Sequence, residues 1–309
     1  MTELQTVRLT VAEEHARLRV DAYLAMSMPW RSRRSLADLL AAGAVEVNGQ
    51  RIKKSHRLAP GDVIALRVPV HPEATLDLTQ IELSILYEDD DLVVVNKPGD
   101  LAVHPASTCP HRNLLRRLEH YYAHQQPDPQ ARPSVIHRLD RTTSGVVALV
   151  KRRELVAPYT RQFAERTPTK RYVAIVHGRL RGEGRLEQPI HMPADRPVVV
   201  GPGGKPSRTD YRVLEHAPRA SRVAITLHTG RKHQIRAHLA AHGHPLIYDE
   251  IYGSARDDNW PDDARPLLHA ATLQLDHRDG RRLSFEAPVP VDMEHAWARL
   301  LAQARDRTT

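Results

Sequence analysis

A single cysteine, Cys109, occurs in 309 residues. An internal disulfide, a cysteine-based zinc site and an iron–sulfur cluster all need several thiols from one chain, so all three are excluded. Aromatic residues make up only 5% of the chain, with two Phe. That argues against a broad base-stacking platform of the kind that holds single strands. No apolar run approaches the roughly 20 residues needed to cross a bilayer, and Met1-Thr2-Glu3-Leu4-Gln5-Thr6-Val7-Arg8 contains no apolar signal core. The expectation is a cytoplasmic protein in a reducing compartment, with no membrane partner.

What is present is an apolar fraction of 41%, enough for a packed core, and a net charge of +8 with a pI of 9.8. A basic chain favours a polyanion, with RNA the natural candidate, recognised by shape and phosphates. The charge is uneven: residues 15–69 hold ten Lys and Arg against four Asp and Glu, a local net of +6. In the same stretch Val20, Tyr23 and Leu24, then Leu36, Leu39 and Leu40, recur at helical spacing, with the basic run Arg31-Ser32-Arg33-Arg34 just ahead of the second helix. Val45-Glu46-Val47, the turn Asn48-Gly49 and Arg51-Ile52-Lys53-Lys54 read as a hairpin, and Pro60-Gly61-Asp62 turns into the strand Val63–Leu66.

Val70–Ala74 reads as a linker. Beyond it, strands are interspersed with helices: Val146–Val150, Tyr172–Val176, Thr209–Leu214, Val223–Leu227, Leu273–Leu275 and Leu283–Phe285 as strands, Gln234–Ala241 as a helix. Leu155, Tyr159 and Phe163 predict a helix over about 153–165, and Pro158 inside it requires a late start or a kink. The fold class is α+β.

His137-Arg138-Leu139-Asp140-Arg141-Thr142-Thr143-Ser144-Gly145 sets a carboxylate between two arginines just before that first buried strand. Arg138 and Arg141 can hold Asp140 ionised, and an ionised carboxylate is a competent nucleophile. A solvated surface turn is the plain alternative. His238 and His242, four apart with His244 beyond, have a spacing that can bind zinc, but Leu239 stands where a zinc peptidase has Glu. We therefore expect no metal.

His137-Arg138-Leu139-Asp140 followed by Thr143-Ser144-Gly145 resembles the signature of the RluA-type pseudouridine synthases. Three further stretches match in order: Tyr87–Pro98 with its Asn96-Lys97-Pro98 turn, Lys170-Arg171-Tyr172-Val173-Ala174, and Thr229-Gly230-Arg231-Lys232-His233-Gln234-Ile235-Arg236 with Gly243-His244-Pro245-Leu246. The basic unit before them resembles an S4 RNA-binding domain. The resemblance implies a small S4-type α/β domain over 13–70, a linker over 71–80, a catalytic domain with a mixed sheet flanked by helices and loops over 81–295, and a C-terminal tail over 296–309. It implies isomerisation of uridine in structured RNA, ribosomal rather than transfer, by a monomer without cofactor. Asp140 carries the chemistry, Arg236 pairs with it, Tyr172 stacks on the base and relays a proton, and Arg138 fills the space of the flipped uridine. Arg141, Arg231, His233 and Gln234 in the cleft, and Arg33, Arg34, Lys53 and Lys54 in the small domain, would contact RNA. Lys232 and Tyr248 depart from the family's usual residues. A non-catalytic RNA-binding or ribosome-assembly protein and a histidine-based metal hydrolase remain as alternatives.

Overall fold

The computed structural model describes residues 4–28, 33–69, 77–105, 109–193, 197–253 and 260–302, without the side chains of residues 4, 5, 33, 34 and 69. The chain divides into two compact units, one of residues 1–81 with 104–117 and one of 82–103 with 118–309.

In the first unit, strands β1 (Leu4–Thr10), β2 (Val45–Val47), β3 (Gln50–Arg51) and β4 (Val63–Pro69) form an antiparallel sheet ordered β1-β4-β2-β3, accompanied by α1 (Val20–Ser27) and α2 (Arg33–Ala41). The apolar positions at helical spacing, Val20, Tyr23, Leu24, Leu36 and Leu40, are buried against Val45, Val47, Ile64 and Leu66 of the sheet. Asn48 and Gly49 both take positive φ, 50° and 79°, as a two-residue hairpin turn with right-handed twist requires.

Three details differ from the sequence reading. The sheet extends N-terminal to residue 13, because Val7 and Leu9 pack inward from β1 while Thr6, Arg8 and Thr10 face out. The return strand of the hairpin ends at Arg51, so Lys53 and Lys54 lie beyond it, both exposed. The basic run overlaps α2, since Arg33 and Arg34 begin that helix; their side chains, and the Arg31-Ser32 pair, lie outside the described residues. Residues 70–76 of the expected linker also lie outside them, and 77–81 cluster with the small unit.

The rest of the chain contributes β5 (Ser84–Glu88), β6 (Leu92–Lys97), α3 (Leu114–His120), β7 (Ser134–Val135), β8 (Ser144–Val150), α4 (Val156–Glu165), β9 (Thr169–His177), β10 (Glu183–Leu186), β11 (Ile190–His191), β12 (Val199–Val200), β13 (Thr209–Ala217), β14 (Ala220–Leu227), α5 (Gln234–Ala241), β15 (Leu268–Asp276), β16 (Arg282–Glu286) and α6 (Val291–Ala302). Ten of these strands make one sheet ordered β10-β13-β14-β9-β15-β8-β6-β5, with β16 on β15 and β7 on β8. It is mixed: β15 runs parallel to β8, and the other ladders are antiparallel.

Every residue of β8 is buried, which is why that strand reads as a continuous apolar run rather than an alternating one. Gly145 makes the parallel pairing possible. Its φ is +112°, and a Cβ there would lie 2.2 Å from the Ala270 carbonyl oxygen of β15. Pro158 delays the helix rather than kinking it. A 3₁₀ turn covers Arg153–Leu155, α4 begins at Val156, and Pro158 falls in its first turn, where its missing N–H costs nothing. The expected tail from 296 is instead the body of α6, whose Met293, Ala296 and Trp297 are buried against Ile175, Ala217, Ile247 and Leu267.

Candidate active site

The loop between β7 and β8 carries Asp140 into a cleft of about 780 Å³. Its walls come from that loop, from Phe163 and Arg166 at the end of α4, from Lys170 and Tyr172 on β9, from 227–233 after β14, and from the first turns of α5. Among the lining residues Asp140 is the one carboxylate, while Arg138, Arg166, Lys170, Arg231, Lys232 and Arg236 supply positive charge. A concave site with that imbalance attracts a polyanion and receives it around a single acidic group.

Two buried cations hold the backbone on the C-terminal side of Asp140. Lys97, at the end of β6 and fully buried, donates from Nζ to the carbonyls of Pro98 (2.8 Å), Leu101 (2.8 Å) and Arg141 (3.1 Å). Three acceptors match the three donors of an ammonium. Burial, reinforced by Arg265, pulls Lys97 down to about 7, against the opposing attraction of Asp140 and Asp100. Arg265 donates to the Thr142 carbonyl (3.0 Å) and to Ser144 Oγ (3.1 Å), and is itself held by Asp292 at the start of α6 (2.8 and 3.2 Å). Consecutive carbonyls after the carboxylate are thus each held by a buried cation.

The charge partners of Asp140 differ from those expected. Arg141 pairs with Asp100 at 2.6 Å, and Arg138 is exposed at the cleft rim; neither forms an ion pair with Asp140 among the described residues. Arg236 does not pair with Asp140 either. Its Nε and Nη2 both donate to Asp249, each at 2.7 Å, and that carboxylate is fully buried, so the fork geometry commits the guanidinium there. Among the described residues the group within ion-pair distance of Asp140 is His233, with Nε2 4.0 Å from Oδ1.

Tyr172 lines the cleft from β9, and burial, with the charge of Asp140 adding to it, pushes its phenol well above the usual range. It is therefore a neutral phenol at physiological pH. Arg231 and His233 also line the cleft. Gln234 does not offer itself to a ligand. It is buried, its Oε1 accepts from Thr229 Oγ1 (2.7 Å) and the Arg231 N–H (3.1 Å), and its Nε2 donates to the Arg208 carbonyl and Thr209 Oγ1 (3.0 Å each). Gln234 shapes the loop that presents Arg231 and His233. His238 is similarly occupied, with Nδ1 on Thr209 Oγ1 and Nε2 on the Gln188 carbonyl, both at 2.9 Å, which removes the first member of the candidate zinc set.

His137 opens the loop, and its role is structural. Its ring stacks on Phe163 at 4.6 Å and 14°, and Nε2 accepts the Ala148 N–H at 2.9 Å. Burial, with Lys170 adding, pushes it down to about 3. A histidine depressed in the folded state contributes stability that is present above about 6.5 and lost as pH falls toward 3, because the unfolded chain takes up the proton first. The ring keeps a partly exposed edge, so we expect a loss of about 1 kcal/mol between pH 7 and pH 5 from this group. In denaturant titrations at the two pH values, His137→Gln, which keeps an acceptor but does not titrate, should show a shallower pH dependence than wild type. Equal slopes would remove His137 as a source of the pH dependence.

Sequence comparison gives concordant results. The model for RNA pseudouridylate synthase matches residues 91–241, and that for the S4 domain matches residues 18–64. The ribosomal large subunit pseudouridine synthase D of Vibrio parahaemolyticus serotype O3:K6 (strain RIMD 2210633) is 36% identical over 92% of this chain and 91% of its own length. The protein of the same name from Escherichia coli (strain K12) is 33% identical over 95% of this chain and 94% of its own. Among solved structures, human RNA pseudouridylate synthase domain containing 1 superposes with a TM-score of 0.56 at 29% identity, over 67% of this chain and 84% of that one.

Proposed function

The chain belongs to the RNA pseudouridine synthases, and from that premise we propose that it isomerises uridine in large-subunit ribosomal RNA, with Asp140 as the carboxylate acting at the anomeric carbon. The observation that carries this reading is the placement of Asp140 as the one carboxylate of a cation-lined cleft, with the carbonyls of the next two residues clamped by Lys97 and Arg265. The RNA target rests on the relatives' names.

The reaction breaks the bond from N1 of uracil to C1′ of the ribose, rotates the base and joins its C5 to the same carbon, after which C5 gives up its proton and N1 takes one up. Atoms balance within the nucleotide and no electrons are exchanged, so the chemistry calls for a positioned carboxylate, a holder for the detached base and a proton relay. Asp140 supplies the first. Tyr172, a neutral phenol facing the cleft, stacks on the base and relays a proton. Arg138, exposed beside Asp140, occupies the gap left in the RNA when uridine is flipped out.

The decisive experiment maps pseudouridine by chemical modification and primer extension in ribosomal RNA from cells with and without the gene, then with Asp140→Asn restored. A site present only with the active gene supports the reading; unchanged large-subunit profiles reject it.

The S4-type unit supplies phosphate-binding charge through exposed Lys53 and Lys54 and through Arg33 and Arg34. Reversing these four to Glu should weaken RNA binding and lower the salt slope, by about 0.7 to 0.9 for each phosphate no longer neutralised. Turnover at saturating enzyme should persist, with the deficit in KM. Unchanged affinity and slope in a binding titration would move recognition to the cleft alone.

A further inference from the structure

His233 occupies the N-cap position of α5 with φ +52°, a left-handed conformation that turns its ring into the cleft. One ring nitrogen, Nδ1, lies 3.0 Å from Tyr252 Oη, and the other, Nε2, lies 4.0 Å from Asp140 Oδ1. The proton positions in this chain follow from a donor count. The backbone N–H of Val198 donates to Tyr252 Oη at 3.1 Å, so that oxygen is already an acceptor there. Tyr252 has one proton to give, and among the described residues the acceptor left for it is His233 Nδ1. Pairing that proton with Nδ1 satisfies both groups and assigns the proton of a neutral imidazole to Nε2, on the side of Asp140.

We propose that His233 is a neutral hydrogen-bond donor of the reaction site, its Nε2–H aimed by Tyr252 at the space beside Asp140 to receive the uracil O2 of the target nucleotide. The proposal rests on Asp140 being the reacting carboxylate. The 4.0 Å separation is too long for a direct hydrogen bond, so the Nε2–H is not committed to Asp140 and can turn to an acceptor beside it.

The chemistry favours a neutral donor. When the N1–C1′ bond breaks, the electron pair stays with the base, and its charge spreads from N1 onto O2. A donor that surrendered its proton there would neutralise the base and blunt C5 for its attack on C1′. A neutral imidazole N–H stabilises the anion without giving the proton up. The surroundings support this protonation state. Burial and the charges of Arg236 and Lys232 depress His233, against Asp140 and Asp249, and the net direction is down. Tyr252 is itself packed: it lies under the Arg236 guanidinium, 5.2 Å from ring centroid to Cζ, and meets the His233 ring edge-on.

The direct test is the tautomer. In long-range proton–nitrogen spectra of histidine-labelled protein at pH 7.5, the signal absent from His233→Gln should show a bare Nδ1 and a protonated Nε2. Tyr252→Phe, which keeps the ring and loses the donor, should abolish that preference. In single-turnover assays on RNA, His233→Phe should lower the rate about ten- to a hundredfold, the range of one hydrogen bond to a charged acceptor, with KM nearly unchanged. His233→Gln, whose amide N–H reaches the same point, should recover most of the rate. Should His233→Phe fail to fold, Tyr252→Phe carries the kinetic test, with a smaller fall in rate and the acid limb of its pH profile moved to higher pH. A proton on Nδ1, a doubly protonated ring, or a wild-type rate in folded His233→Phe overturns the proposal. An inactive Asp140→Asn beside an unimpaired His233→Phe defeats this inference alone, whereas an active Asp140→Asn defeats the reading beneath it and leaves the tautomer result standing.

Discussion

Asp140→Asn should abolish isomerisation, by at least about a thousandfold in single-turnover rate, the scale seen when a covalent nucleophile is removed, while the protein stays folded and bound to RNA. The amide keeps the shape of the side chain but is not an anionic nucleophile. Stability should hold within about 0.5 kcal/mol, because among the described residues the carboxylate makes no hydrogen bond, and the side chain facing it, the neutral His233, is 4.0 Å away. RNA affinity should not fall, since the substitution removes the one negative charge from a cleft otherwise lined by cations. Residual turnover within about tenfold of wild type would falsify the role given to Asp140; a drop in thermal midpoint matching the lost activity would assign it to folding instead.

The parts of this site legible in sequence are those written as contiguous strings. Arg138 and Asp140 sit at the cleft as the motif indicated, as does Tyr172 on its strand, and α5 spans Gln234–Ala241 as its spacing implied. Partnerships between distant segments were not legible. Arg138 and Arg141 flank Asp140 in sequence and Arg236 was expected to pair with it, yet Arg138 makes no ion pair with it among the described residues, Arg141 turns to Asp100, and Arg236 commits two nitrogens to Asp249 in a fork. Gln234 looked like an RNA-binding residue and is consumed by four hydrogen bonds inside the protein. Tyr252, Val198 and Arg265 carry no local signal at all: they are linked to the Asp140 loop only through tertiary geometry. The strand β1 was missed for a related reason: it buries only the inward half of an alternating segment and lacks the apolar run that marks β6 or β8, whereas β3 was read as the hairpin's return and proves to be two residues long, ending at Arg51. One signal was available for Lys97: a lysine closing the buried run Leu92–Val95 inside a strand has to find acceptors or lose its charge.

Lys97→Met should therefore be the most damaging substitution outside the cleft-lining residues. Methionine matches the length and fills the space, but it leaves the carbonyls of Pro98, Leu101 and Arg141 without their donor in a site with no exposure. Removing one partner of a buried hydrogen bond costs about 1 to 3 kcal/mol for each group left unsatisfied. Relief from burying an ammonium offsets part of that, so the expected net loss is about 2 to 4 kcal/mol in denaturant unfolding, large against the stability of a typical domain. The second effect separates positioning from mere stability. With the Arg141 carbonyl released, the loop is held on this side by Arg265 at Thr142 alone, and a displacement on the order of 1 Å at a reacting group costs about a hundredfold. Folded Lys97→Met, assayed well below its melting temperature at saturating RNA, should thus lose about ten- to a hundredfold in kcat with little change in KM. Arg265→Met should repeat the pattern, since it frees the Thr142 carbonyl, and it should also loosen α6 by removing the ion pair of Asp292. Full kcat in a folded Lys97→Met protein would mean that the loop holds Asp140 in place without the clamp.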